Sequence, residues 1–583
     1  MKKRVVVIDQ ELCKPEKCQL LCAHVCPKVR SGEECITYDK VRKRIVIDEA
    51  VCIGCGICKK KCPYQALTIV NLPQQLDELP IHRFGQNGFM LFRLPFPVEN
   101  KIVGIIGANG VGKTTALRIL SGELNPNLGN EKEDRDIIKI FRGTELQSYL
   151  EKLKAGAHTS IKPQRVDAIP IVYKGKAAKL LDRVDERGIV NELVKEFGVE
   201  EAMDRVVNEL SGGELQRIAI IACLAKDADM YYLDEPTSFL DVFQRLQMAK
   251  LIRKYCFGRS VIIVEHDLAT LDFLADRVHI FYGVPGAYGI VSKPYGVRIG
   301  INTFLDGYIK EDNVRFRSES INFFASIAGR SVGNESLISF DGIKKKFSKF
   351  NLTVGYGDVK KKEVLVLLGA NALGKTTFAK IIAGELKADA GRIEGKVKIS
   401  YKPQYIRVDF NGTVRELLSR VRKLNDEFKI EIIRPLKLEK LLEKVISELS
   451  GGELQRVAIA NCLARDADLY LLDEPSAFLD IEQRLAIAKL INKLVEAHEK
   501  AAIIIDHDLL FLSQIGDRAM HFYGEPAVRG RAEMGSVREA FNSFLAKVGV
   551  TFRKDPQTGR PRANKYDSQI DREQKETGNY FYV

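Results

Sequence analysis

LSGGELQR occupies Leu210 to Arg217 and returns, letter for letter, at Leu449 to Arg456. Eight identical residues at two places in one chain mark an internal repeat. Each copy reads as a helix start. Ser211 with Glu214, and Ser450 with Glu453, make S-x-x-E capping boxes. Gly212, Gly213, Gly451 and Gly452 keep side chains away from the first helical N–H groups. Those groups, at the positive end of a helix dipole, form a seat for phosphate. Each copy also stands just upstream of an apolar run that ends in Asp-Glu, MYYLDEPTSFLD from Met230 and LYLLDEPSAFLD from Leu469. An ordinary capped helix would need neither the identity nor that neighbour.

A chain of 583 residues is too long for one core and implies three or four domains. The composition, 45% hydrophobic and 29% charged, is globular, and the net charge of +13 fits nucleic acid, a ribosome or an acidic membrane as partner. No apolar run reaches bilayer length. The N-terminus, MKKRVVVIDQE, meets acids before a signal-peptide core develops. The expected location is therefore the cytoplasm. Nine of the twelve cysteines lie between Cys13 and Cys62, and in a cytosolic chain such clustering favours metal ligation over disulfides.

Cys52, Cys55, Cys58 and Cys62 have the spacing C-x2-C-x2-C-x3-C-P, the bacterial ferredoxin run for a [4Fe–4S] cluster. Cys13, Cys18, Cys22 and Cys26, followed by Pro27, have the looser spacing C-x4-C-x3-C-x3-C-P. In two-cluster ferredoxins the fourth cysteine of each run ligates the other cluster. Carried over, one cluster takes Cys52, Cys55, Cys58 and Cys26, and the other takes Cys13, Cys18, Cys22 and Cys62. Cys35 is left as a non-ligand. The alternative is zinc, since eight thiolates could hold two Zn²⁺ ions; the Cys-Pro endings favour iron–sulfur. The basic residues Arg42, Lys43, Arg44, Lys59, Lys60 and Lys61 read as a solvated face, or as phosphate contacts beside a nucleic acid.

Gly107 to Thr114 (GANGVGKT) matches G-x-x-x-x-G-K-[ST] after an apolar strand. Loop N–H groups, with Gly107, Asn109, Gly110, Gly112 and Thr115, cradle phosphate. Lys113 reaches the β/γ-phosphates and Thr114 ligates Mg²⁺. Asp234 ends a strand buried on both faces and holds Mg²⁺ through water; Glu235 polarises the attacking water. His266, leaving the run VIIVEHD, is a γ-phosphate sensor, and Gln164 in KPQR couples Mg²⁺ and water to a moving subdomain. The same order recurs downstream: Gly369, Asn371, Gly374, Lys375, Thr376 and Thr377 in the loop, Gln404 in KPQY, then Asp473, Glu474 and His507. The signature and Asp-Glu motifs recur at 239 residues and the loops at 262, so the first half carries about twenty extra residues near 131–156. These read as short helices with a charged face, a partner contact or a neutral loop expansion.

These four motifs, in this order and twice over, resemble the ATP-binding cassette ATPases, whose signature loop is LSGGELQR. The resemblance implies an α/β fold: two tandem P-loop domains, each with a RecA-like parallel sheet, an antiparallel β subdomain and a helical subdomain. It implies adenine stacked on an aromatic upstream of the loop, with Phe84 and Phe89 as candidates and core packing as the other reading. It also implies two composite sites. One pairs Lys113 and Glu235 with Ser450, Gly451 and Gly452; the other pairs Lys375 and Glu474 with Ser211, Gly212 and Gly213. Both are expected to hydrolyse ATP.

With the ferredoxin-like head, the chain resembles subfamily E of these proteins, the ribosome-recycling or RNase L inhibitor family. The expected domains are 1–75 for the iron–sulfur head, 76–290 and 331–525 for the cassettes, 291–330 for a first hinge and 526–583 for a second hinge and tail. GVRIGINTFLDG from Gly296 and GSVREAFNSFLAK from Gly535 repeat one another at those joints. The stretch Arg529 to Lys565 holds nine Lys/Arg against three acids and would touch RNA or solvate its surface; the residues from Asp567 onward lack an apolar period and get no role. The resemblance implies ATP, Mg²⁺ and two [4Fe–4S] clusters as cofactors. It implies the ribosome, its small subunit, a release-factor-like protein and initiation factors as partners, no membrane, and a monomer whose two cassettes form an intramolecular dimer. The rival readings are the ATPase unit of a transporter and an ATP-coupled redox protein.

Overall fold

The computed structural model describes residues 4–73, 78–129, 138, 141–321, 323, 332–404 and 410–582. The chain divides into two units. The first holds residues 1–236, 252–266 and 275–321; the second holds 237–251, 267–274 and 322–583. Two segments of the first repeat's chain thus belong to the second unit.

The first unit opens with a small head. Strand Arg4–Ile8 pairs antiparallel with Leu67–Asn71, and Ile36–Asp39 pairs with Arg44–Ile47. Short helices between them carry Cys18, Cys22 and Cys58, and the other cysteines lie at helix ends or in loops. The head joins the cassette sheet through Asn87. Its side-chain oxygen accepts from Ile47 N, and its amide donates to the carbonyls of Val6 and Ile47. Asn87 thereby satisfies free edges of both ribbons, and Arg83 with Glu49 adds an ion pair beside it.

The cassette sheet of this unit runs His82–Arg83, Met90–Phe92, Tyr288–Val291, Arg277–Val284, Ile102–Gly107, Ser260–Val264, Met230–Asp234, Thr159–Lys162. The last five strands are parallel, and the runs Ile102–Gly107, Met230–Asp234 and Ser260–Val264 are buried throughout, as parallel strands covered on both faces must be. Their registers set Gly107, Asp234, Val264 and Lys162 at one carboxyl edge, where an open α/β sheet builds its site. The second unit repeats the order with strands Val364–Leu368, Ala501–Ile505, Leu469–Asp473 and Ile399–Lys402 parallel, and adds a larger antiparallel part around Ser336–Lys346.

Three sequence expectations change here. The boundary at 525/526 cuts a hairpin, because Arg529–Ser536 pairs with Arg518–Glu525 and extends the second cassette's sheet. Within the extra stretch near 131–156, residues 131–137 and 139–140 lie outside the described residues. Its helix Glu145–Lys154 buries Leu146, Tyr149 and Leu150 in the first cassette's core, and Tyr149 hydrogen-bonds Tyr232 of the Asp-Glu strand. One face of the insertion is therefore core. The basic stretch is part of a folded unit, with most of its Lys and Arg exposed but one of them buried: Phe552–Lys554, Pro561–Ala563 and Phe581–Tyr582 form a three-stranded sheet, with a helix at Gln569–Glu576. Arg560 is fully buried, and it and Arg562 both hold Asp272 of helix Leu268–Leu274. The repeated joint motifs form helices Val297–Asp306 and Val537–Val548. Each ends on a left-handed glycine, Gly307 and Gly549, with φ of 76° and 70°.

Candidate functional site

Each phosphate loop turns directly into a helix, Lys113–Leu120 or Lys375–Ile382, with Thr115 and Thr377 in the first turn. Gly112 and Gly374 sit at φ of 90° and 97°. Lys113 is buried, and its Nζ donates to the carbonyls of Gly107 and Ala108 at 3.0 and 2.9 Å; Lys375 does the same to Gly369 and Ala370 at 2.8 and 2.7 Å. The ammonium is thus held on its own loop at a helix N-terminus, the kind of place that seats phosphate.

Thr114 Oγ1 donates to Asp234 Oδ2 at 2.8 Å, and Thr376 Oγ1 to Asp473 Oδ2 at 2.8 Å. The other carboxylate oxygen of each Asp is buried with no hydrogen-bond partner. A hydroxyl beside such an oxygen fits a hydrated Mg²⁺, which would supply the missing partner. Burial, with Glu235 next, raises the Asp234 carboxyl to about 6, the shift a cation would reverse.

Glu235 and Glu474 stand one residue beyond, with backbone φ of 46° and 49°. Gln164 Nε2 donates to Glu235 Oε1 at 2.8 Å, and Gln404 Nε2 to Glu474 Oε1 at 2.6 Å. His266 Nε2 lies 3.5 Å from Glu235 Oε1, and His507 Nε2 lies 3.7 Å from Glu474 Oε1. The structure thus brings glutamate, histidine and glutamine of each repeat together. Both Gln amides meet the glutamate, leaving the amide oxygen as the atom that could ligate a cation. The two carboxyls differ. Burial works against the charged Glu235, but His266, Lys113 and Gln164 outweigh it and hold the group down at about 2. Glu474 is pushed up to about 7 by burial and by Asp473 and Asp506. Asp506 stands where the first repeat has Glu265.

Sequence reasoning passed over two residues of this site. Lys162 and Lys402, two positions before the glutamines, are 0% and 2% exposed. Gln216 and Gln455, in the twice-repeated octapeptide, are buried too, and each donates to a glutamate carbonyl. The signal was available, since both pairs recur at matching places in the two halves. Ser211 and Ser450 cap their helices in full capping boxes and are exposed, as the S-x-x-E spacing predicts. A Cβ on Gly452 would lie 2.8 Å from the Phe478 carbonyl, so that position requires glycine.

Phe84 and Phe89 both flank the first loop. A Cβ on Gly112 would meet the Phe89 ring at 2.8 Å, and Phe84 is 46% exposed with its ring 6.5 Å from that of Phe89. Phe89 serves as packing and Phe84 offers a free face. The second repeat has the same pair, which the sequence reading missed: Phe350 meets Gly374, and Phe347, 41% exposed, stacks on it at 6.4 Å.

In the head, the thiols fall into two sets. Cys13, Cys18, Cys22 and Cys62 are electrostatic neighbours, as are Cys58, Cys52, Cys55 and Cys26. The second set lines a small cavity together with Cys35. Burial first, then the neighbouring thiols, push Cys13 up to about 11, Cys22 to about 12 and Cys58 to about 11. Thiolates so crowded need a compensating cationic centre, so the donor set fits iron–sulfur ligation. Cys35 is buried against Cys26 and Cys52.

The comparisons agree with this geometry. The family profile described as ABC transporter matches residues 97–238 and 356–477; 4Fe-4S binding domain matches 45–68; possible Fer4-like domain in RNase L inhibitor matches 4–34. The chain is 43% identical to ABC transporter E family member 1 of Arabidopsis thaliana, over all of this chain and 99% of that one. The chain belongs to the E family of ATP-binding cassette proteins. It is 44% identical to translation initiation factor RLI1 of Saccharomyces cerevisiae, over all of this chain and 98% of that one. It superposes on ABCE1 in a model of ribosome-bound archaeal Pelota and ABCE1 with a TM-score of 0.93 and 50% identity, over all of this chain and 99% of that one. The fold is thus two cassette ATPase domains behind an iron–sulfur binding head. No helix among the described residues is long and apolar enough to cross a membrane.

Proposed function

We propose that this E-family chain is an ATP-driven ribosome-recycling factor of the cytoplasm. It splits ribosomes into subunits after termination or stalling, stays on the small subunit and links recycling to initiation. The observation that carries this reading is the end-to-end match, iron–sulfur head included, to an ABCE1 placed with Pelota on the ribosome. The relative named a translation initiation factor supports the last link. Pelota fits the expected protein partner beside the factor. With both cassettes on one chain, the working form is a monomer.

In each site the lysine, Lys113 or Lys375, binds the β/γ-phosphates, with the loop glycines, Asn109 and Asn371 around it. Thr114 with Asp234, and Thr376 with Asp473, would hold Mg²⁺, which would supply positive charge to the β- and γ-phosphates. Glu235 and Glu474 orient and polarise the attacking water. His266 and His507 stand beside them to sense the γ-phosphate, and Gln164 and Gln404 report the state of the glutamate to the helical part. Ser450, Gly451 and Gly452 complete the first site; Ser211, Gly212 and Gly213 complete the second. Two [4Fe–4S] clusters, on the cysteine sets above, cross-link the head when bound. Moving a two-state clamp from 1:99 to 99:1 takes about 5.5 kcal/mol of differential binding, about 2.7 kcal/mol per ATP, an ordinary coupling energy.

The test is sedimentation of the cluster-loaded chain with ribosomes and subunits, with a non-hydrolysable ATP analogue or ADP, at two salt concentrations. Analogue-dependent, salt-sensitive migration with the small subunit is the expected result. No association in any nucleotide state overturns the ribosomal reading and leaves the ATP sites standing. Glu235→Gln with Glu474→Gln should keep ATP binding and lose about 100-fold or more of hydrolysis; rapid turnover by that variant overturns the glutamate roles.

A further inference from the structure

Glu235 and Glu474 hold a left-handed backbone, at φ of 46° and 49°, that a residue with a Cβ adopts only under strain. Such strain persists only where the surroundings over-determine it. Here four hydrogen bonds fix each peptide. Glu235 N donates to the Val264 carbonyl at 3.0 Å, and Glu474 N to the Ile505 carbonyl at 2.7 Å. On the other side, Lys162 Nζ donates to the carbonyls of Asp234 and Glu235 at 2.8 and 3.3 Å, and Gln216 Nε2 donates to the same Glu235 carbonyl at 2.8 Å. The second repeat is the same: Lys402 Nζ to Asp473 and Glu474 carbonyls at 2.7 and 3.3 Å, Gln455 Nε2 to Glu474 at 2.6 Å.

A lysine with essentially no exposure is a costly thing to bury. An apolar residue would pack this strand end without that cost. What the ammonium supplies, and an apolar side chain could not, is one cation bridging two successive carbonyls that the left-handed turn swings to the same side. The structure assigns Lys162 and Lys402, with Gln216 and Gln455, as positioning residues that clamp the peptide of the hydrolytic glutamate and thereby aim its carboxylate. The clamp joins three parts of one cassette. Its lysine is two residues from the glutamine that meets the glutamate carboxylate, and its glutamine lies in the helix that begins at the signature serine. A shift of either part is transmitted to the glutamate backbone. This inference rests on the hydrolytic role proposed above for the two glutamates.

The experiment compares wild type, Lys162→Met/Lys402→Met, Glu235→Gln/Glu474→Gln and the combined quadruple variant, all full-length and cluster-loaded. Steady-state ATP hydrolysis and affinity for a non-hydrolysable ATP analogue are measured on each. The lysine variant should lose at least 30-fold in kcat with analogue affinity within threefold of wild type. In the Glu→Gln background the same lysine change should alter the residual rate less than twofold, because the residue acts through the glutamate. A kcat within threefold of wild type overturns the clamp, as does a parallel fall in affinity, or a further large loss in the Glu→Gln background. Should the methionine variant fail to fold, Gln216→Leu/Gln455→Leu removes the other donor to the same carbonyl and must show the same split; full activity there overturns the clamp. If Glu235→Gln/Glu474→Gln alone turns over at the wild-type rate, it is the glutamate assignment that falls.

Discussion

Replacing Asn87 by alanine should detach the iron–sulfur head from its cassette without touching a cysteine. Asn87 is fully buried and its side chain makes three hydrogen bonds, accepting from Ile47 N at 2.8 Å and donating to the carbonyls of Ile47 and Val6 at 2.9 and 3.2 Å. Ile47 and Val6 are themselves buried, so alanine leaves three backbone groups orphaned. At about 1 kcal/mol each, the low end for a buried unsatisfied group, the loss is about 3 kcal/mol. Alanine at the Asn87 φ of 61° adds about 1 kcal/mol, since asparagine adopts that region at less cost than alanine. A total near 4 kcal/mol corresponds to an opening equilibrium about 10³ larger. The assay is amide hydrogen exchange on cluster-loaded protein. Ile47 should lose about two to three orders of magnitude of protection, while Val103, in the middle of the cassette sheet, should be unchanged. Asn87→Gly serves as the control for φ, because glycine accepts the left-handed backbone; it should still lose most of the Ile47 protection. Protection at Ile47 within threefold of wild type in both variants would show that the ribbons need no partner at that edge, and would refute the reasoning.

Phe347→Ala should weaken ATP binding at the second site about tenfold, the low end of what base–aromatic stacking contributes, with little change in melting temperature, which titration of the Glu235→Gln/Glu474→Gln protein would detect. Arg560→Met leaves Asp272 buried with only Arg562 and should cost the second unit about 3–5 kcal/mol in urea unfolding. Adding Asp272→Leu should recover only part of that loss, because it removes the fully buried carboxylate but takes the same partner from Arg562, whose side chain is 13% exposed. His279 is buried beside the Ser292 carbonyl, and burial holds its imidazole down at about 4 against the ordinary 6.5. The unfolded chain therefore binds the extra proton first, so stability is intact above about 6.5 and falls as the pH drops towards 4. At pH 5 the loss is about 2 kcal/mol, and His279→Phe should flatten that part of the pH–stability profile.

The chemistry was legible because it is short-range. A loop, a strand end and a helix start each need fixed residue types within a few positions, and the internal repeat supplied a second copy of each. What the sequence hid depends on contacts between distant residues. Arg560 reads as a solvated basic residue until Asp272, 288 positions away, is placed against it. The insertion reads as a surface feature until Tyr149 is found on Tyr232. Arg529–Ser536 reads as a hinge because its inward positions are small. A Cβ on Gly530 would lie 2.1 Å from the Leu373 carbonyl, so the strand passes hard against the phosphate loop and cannot carry the apolar alternation that marks a strand.

The two repeats also show which features the geometry insists on. The first loop has Gly110 at φ 77°, and a Cβ there would meet only ordinary or slightly tight contacts, the nearest at 3.3 Å; the second loop places Ala372 at φ 59° in the matching position. The strain is about 1–2 kcal/mol and the second repeat bears it. Two residues on, Gly112 and Gly374 are glycine in both copies. There a Cβ would approach the Phe89 ring to 2.8 Å in the first and the Leu352 and Phe350 side chains to 2.9 and 3.0 Å in the second. Backbone strain alone is tolerated; strain together with a collision against a packed aromatic is not. The buried lysines, the buried glutamines and the left-handed glutamates likewise recur in both copies. Each is unfavourable taken singly, and in each copy the lysine and the glutamine meet at the glutamate carbonyl.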